Sequence, residues 1–149
     1  MKTTIKYLML TLIAVFACVS ISSCSKDDDD PNMGSGNYYF QLYRVETNCI
    51  DANGNNIAEA LKSEWISANQ ADAHGNMTIG KTDNESALAW FDQTINDLVQ
   101  VCDDTYRGKN ILPDNGWIRY SFRLYSDASY GGATANAIIE ITNAGARLR

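Results

Sequence analysis

The chain has 149 residues, 45% of them hydrophobic, with 12 Lys and Arg against 18 Asp and Glu for a formal charge of −6. This balance excludes a nucleic-acid partner, because phosphate contacts need clustered basic residues and the sequence has no such cluster. The length bounds the chain to one domain with a core large enough to stand without disulfides.

Residues 1–23 have the layout of a secretory signal peptide. Lys2 and Lys6 precede an apolar run, Tyr7 to Val19, broken only by Thr11, and small residues lead up to Cys24. The run is shorter than the ~20 residues a spanning helix needs. Ile21-Ser22-Ser23-Cys24 resembles a bacterial lipobox, and Ser25-Lys26-Asp27-Asp28 is similar to the export signal of surface lipoproteins in Bacteroidetes-type bacteria. The resemblance implies a diacylglyceryl group on the Cys24 sulfur, cleavage before Cys24, and acylation of the new amine. Two or more acyl chains hold stably, each buried CH₂ contributing about 0.8 kcal/mol. It also implies an address: lipid-anchored in the outer membrane, facing the cell exterior. From Cys24 onward 10 Lys and Arg face 18 Asp and Glu, a balance of −8.

Residues 24–36 read as the lipidated cysteine and a flexible acidic linker. Asp27 to Asp30 repel one another, and Pro31 to Gly36 show no apolar period. Residues 37–149 read as a single α+β domain. Tyr38 to Glu46, rich in aromatic and branched residues, predicts a strand. Its two faces, Tyr38, Phe40 and Leu42 against Tyr39, Gln41 and Tyr43, both carry aromatics, so the pattern leaves the inward face open; Phe40 and Leu42 are the favoured choice. The turn cluster Asp51 to Asn56 precedes a helix, with Asn56 and Glu59 as capping residues and Ile57, Leu61 and Trp65 at helical spacing. That helix ends near Ala68 or runs on to His74, with Gly75 as its stop. Asn76 to Gly80 is a candidate short strand. Thr82 and Glu85 form a capping box for a second helix, whose stripe holds Leu88, Phe91, Ile95, Leu98, Val99 and Cys102. Asp103-Asp104 and Gly108 end it, although an acidic pair is unfavourable at the negative end of a helix dipole.

Trp117 to Tyr125 alternates strictly, with Ile118, Tyr120, Phe122 and Leu124 on one side. Thr134 to Thr142 forms the last expected strand, with Ala137, Ile139 and Ile141 inward, and residues 143–149 read as a loose end. No internal repeat is visible. The order β-α-α-β-β predicts an antiparallel sheet of three or four strands, order 1-2-3, with two helices on one face.

The other sheet face would then gather Tyr39, Tyr43, Trp117, Arg119, Arg123 and Tyr125. Tyr, Trp and Arg are the residue types enriched in binding hot spots, rings stack on sugars, and guanidinium forks grip carboxylates. The same residues also serve ordinary cross-strand pairing. Cys49 and Cys102 remain in the domain. Outside the cytoplasm such a pair invites a disulfide, here closing 52 intervening residues and worth about 3–4 kcal/mol. Two separate buried thiols are the other reading. Asp51, Asn53 and Asn55 resemble the start of an EF-hand calcium loop, but Asn56 stands where glycine is needed and Lys62 where a bidentate glutamate is needed. A weaker oxygen site of Asp51, Asn53, Asn55 and Glu59 stands beside a plain turn.

His74 is the only histidine, and no nucleophile–base set, P-loop or dinucleotide fingerprint is marked. The expectation is a non-enzymatic lipoprotein, needing no cofactor, that binds a protein or glycan partner on the open sheet face. The alternatives are a small extracellular hydrolase or accessory subunit of a glycan-processing complex, and a structural subunit assembling by strand addition at the edge of 134–142.

Overall fold

Strand β1 (Tyr39–Thr47) turns Phe40 and Leu42 toward the helices, the favoured of the two faces, and Gln41 between them is buried as well. Unbroken alternation would next bury Arg44 and Glu46, which is costly for unpaired charges. A β-bulge between Leu42 and Arg44 resets the phase at Tyr43, so that Val45 and Thr47 turn inward. The carbonyl freed at Tyr43 accepts a hydrogen bond from Lys62 Nζ at 3.1 Å. The computed structural model that shows this describes residues 38–81, 83–126 and 133–149. Residues 1–37, where the signal segment, the lipidated Cys24 and the acidic linker are expected, Thr82 and residues 127–132 lie outside the described residues.

The remaining elements are α1 (Ala58–Ala68), β2 (Asn76–Thr78), α2 (Asn84–Tyr106), β3 (Trp117–Tyr125), β4 (Ala133–Thr142) and β5 (Gly145–Leu148). The class is α+β, with one antiparallel sheet and two helices among the described residues. The sheet has five strands in the order β2-β1-β3-β4-β5, so the expected three long strands form its centre and two short ones extend it. Residues 143–149 are therefore not a loose end: β5 pairs Ala146 with Ile141 and Arg147 with Glu140.

Helix α1 stops at Ala68 and does not reach His74; Gln70 turns the chain with a φ of 54°. The cap position is Ile57, which makes no side-chain cap bond, so the expected Asn56–Glu59 cap does not form; Asn56 lies one residue earlier and its Oδ1 accepts the Ala58 N–H at 2.9 Å. Helix α2 is capped by Asp83 rather than Thr82. Asp83 Oδ1 accepts the Ser86 N–H at 2.8 Å, and the helix continues past the acidic pair to Tyr106. Its buried stripe is Ala87, Phe91, Thr94, Ile95, Leu98, Cys102 and Tyr106; Leu88 and Val99 are only half-buried.

Both helices pack on the face carrying Phe40, Leu42, Ile118, Tyr120, Phe122, Leu124, Ile139 and Ile141. Phe40 stacks on Phe122 at 5.0 Å and meets Trp90 edge-on at 5.2 Å and Phe91 at 5.9 Å. Trp65 reaches Phe122 at 6.2 Å. Each such ring pair adds about 0.5–1.5 kcal/mol beyond the area it buries.

Candidate functional site: the outer face of the sheet

Register decides which side chains share the outer face. Tyr39 pairs with Tyr125, Gln41 with Arg123, Arg44 with Ser121 and Glu46 with Arg119 across β1 and β3. Arg119 pairs with Glu140, Arg123 with Asn136 and Trp117 with Thr142 across β3 and β4. The six residues Tyr39, Tyr43, Trp117, Arg119, Arg123 and Tyr125 thus lie on the side of the sheet away from the helices. Five are half-buried, but Tyr125 is 4% exposed. It supports the face from beneath, its hydroxyl accepting from Arg123 Nη1 at 3.2 Å.

The guanidiniums are held in two ways. Arg123 lies over the Tyr43 ring at 3.3 Å and Arg44 approaches the same ring at 5.1 Å, while its Nη2 donates to the Tyr43 hydroxyl. Those two cations, Arg123 foremost, lower the Tyr43 pKa from its ordinary value. Neither Arg44 nor Arg123 meets a carboxylate among the described residues. Arg119 lies over the Trp117 ring at 4.3 Å and donates to Glu140 at 2.9 Å.

Glu140 is the hub of the second group. Its carboxylate also accepts from Arg147 at 2.8 Å and Arg149 at 3.0 Å, and its side chain is 8% exposed. Hydrogen bonds from Arg147 and Arg119 hold its pKa below the ordinary glutamate value. The sequence pattern gives Glu140 only a place in an alternating strand. Its role depends on β5, which the sequence pattern does not announce. A cavity of about 300 Å³ opens beside it, lined by Arg107, Glu140, Thr142, Ala144, Gly145, Ala146 and Arg147. Its one carboxylate is the one already neutralised.

Compared with known proteins, the chain matches no family model, no curated protein and no solved structure.

The other candidate residues are placed elsewhere. Cys49 and Cys102 are both buried free thiols, so the disulfide reading gives way to packing as small hydrophobes. Burial pushes the Cys102 thiol up to about 12, and it raises the Tyr106 hydroxyl as well, with both thiols adding to that rise. Asp51 Oδ1 accepts the Asn53 and Asn55 N–H groups at 2.8 and 3.0 Å. These bonds, that from Asn55 first, lower its pKa. Asp51, Asn53 and Asn55 therefore build a plain turn, and Glu59 sits apart from it in the first turn of α1. Among the described residues no three His, Cys, Asp or Glu side chains group to hold a metal. His74 is exposed and gives its carbonyl to Gln41 Nε2 at 3.0 Å.

Two loops share a short repeat that the sequence pattern does not announce. Asp51-Ala52-Asn53-Gly54-Asn55 and Asp72-Ala73-His74-Gly75-Asn76 fold alike. In each the aspartate Oδ1 accepts two N–H groups, from the third and fifth residues. In each the glycine has φ above 80° and donates to the aspartate carbonyl, and the aspartate N–H closes on the fifth residue's carbonyl. This is a tight turn followed by a left-handed glycine, the geometry of a short hairpin. Gly75 has a second duty: a Cβ there would lie 2.6 Å from the Leu42 carbonyl oxygen. At only five residues the repeat is legible only once both loops are seen.

Proposed function

We propose that the chain is a surface lipoprotein, held by acyl groups on Cys24 in the outer membrane and facing the exterior, whose outer sheet face binds a protein or glycan partner without catalysing a reaction. One observation carries the binding part. Five of the six arginines in the sequence, Arg44, Arg119, Arg123, Arg147 and Arg149, fall on or beside this face, with Tyr43 and Trp117 beneath two of them. Rings and guanidiniums held rigid against each other are the side chains that concentrate binding energy. The membrane part rests on the Ile21 to Cys24 pattern and the Ser25 to Asp28 signal. No helix among the described residues is long and apolar enough to cross a membrane.

The structural alternative, strand addition at the β4 edge, keeps only part of its basis. β5 already occupies Ile139 to Thr142, while Ala133 to Ala137 carries no strand on that side among the described residues.

Two measurements test the proposal. Mass spectrometry of the native protein should find Cys24 first and acylated; an unmodified amino terminus would remove the anchor. Trp117→Ala with Arg119→Ala should weaken partner capture from intact cells while circular dichroism stays native, and unchanged capture would remove the face.

A further inference from the structure

The charges of this acidic chain are sorted by layer. Helices α1 and α2 carry Glu59, Glu64, Glu85, Asp92, Asp97, Asp103 and Asp104 against a single basic residue, Lys62. The outer sheet face carries five arginines against Glu46 and Glu140, a balance of +3 on a chain whose total is −6. Three of the five converge on Glu140. Arg44 and Arg123 have no carboxylate among the described residues and rest on one tyrosine ring. Self-repelling guanidiniums on a shared platform leave an electrostatic deficit that an anionic ligand would fill.

The chemistry of that ligand is narrowed by three features. The cations are all arginines, whose planar forks match carboxylates in two parallel hydrogen bonds, where lysine would offer a point charge. Among the described residues the face shows one exposed large aliphatic, Ile138, whereas a protein interface is built around an apolar centre. The rings of Tyr43 and Trp117 are half-buried on the outer face of two neighbouring strands, an arrangement that suits an extended chain.

We infer that Tyr43, Arg44, Arg123 and the Trp117–Arg119 pair bind a carboxylated polysaccharide, the guanidiniums of Arg44 and Arg123 gripping successive carboxylates along it. This rests on the reading of the outer face as the binding surface and names its ligand class.

The test uses the full acylated chain in detergent, titrated onto immobilised polygalacturonate and alginate, with fully methyl-esterified polygalacturonate and polyglutamate as comparisons. The two polyuronates are bound, the bond weakens with added salt, and esterification abolishes it. Arg44→Gln with Arg123→Gln weakens binding on the order of tenfold or more with native circular dichroism, and Arg123→Lys, which keeps the charge but loses the fork, also weakens it. Four results would overturn the inference: no binding to either polyuronate, equal binding to the ester, equal binding to polyglutamate, or Gln variants that bind like the parent. If any of these occurs while cell capture still depends on Trp117 and Arg119, the ligand class falls and the binding face stands. If capture is also indifferent to the face, both fall.

Discussion

Glu140 shows how much one side chain can depend on distant sequence. It is a carboxylate in the middle of a strand, on the face without helices, and yet it is almost fully covered. Three guanidiniums cover it, two of them from the last three residues of the chain. Its folded pKa lies below the ordinary value of 4.5, so the ionised form is favoured by folding. The stability it contributes is complete above that value and is lost as pH falls through the lower, folded-state pKa. Glu140→Gln should therefore destabilise the protein at pH 7 by about 1–2 kcal/mol, between the small worth of an exposed ion pair and that of a buried one. Urea titrations of both proteins should show that difference shrink below pH ~4.5, Glu's ordinary value, and vanish at lower pH. A difference constant across that range would show that charge is not what Glu140 supplies.

At the scale of elements, the long pieces and the short strand near Asn76 were legible, and the last strand was not. Trp117 to Tyr125 alternates without a fault, and the stripe of α2 repeats over several turns, so each buries one face in only one register. β5 has four residues and no pattern of its own. It is held from outside: Asp103 Oδ1 accepts the Ala146 N–H at 2.9 Å while the same carboxylate pairs with Arg107 at 2.8 Å. This accounts for the acid at the wrong end of the helix dipole. Arg107 lowers the Asp103 pKa and answers its charge, and the carboxylate ties α2 to the sheet edge. Gly145 is needed at the same place, because a Cβ there would collide with Asp103 Oδ1. Asp103→Ala should loosen β5 selectively. Amide exchange at Ala146 should speed up on the order of tenfold, while exchange in the centre of β3 should not change. Equal acceleration in both strands would mean that Asp103 stabilises the whole fold instead.

At the scale of the molecule, the helices seal an aromatic core against one face of the sheet and leave the arginines on the other. Cys49 and Cys102 lie within that core, 2% and 0% exposed. With its thiol pushed up to about 12, Cys102 has almost no thiolate at pH 8. Labelling by a disulfide reagent should thus await global opening. Peptide mapping after treatment at pH 8 should find Cys49 and Cys102 unmodified in the native protein and both modified in 6 M urea. Rapid native labelling of Cys102 would show that the core opens locally.

The sequence by itself determined the α+β class, the two helices, the three long strands and a candidate short strand at Asn76 to Gly80. These rest on local periodicity, and periodicity is a property of neighbouring residues. Only the tertiary structure decided which face of β1 is buried, the bulge at Tyr43, the strand β5, the free state of the two thiols, and the gathering of arginines from β1, β3 and the chain end. Each of those depends on what lies across a strand pair or beneath a helix, and such partners are separated by tens of residues along the chain.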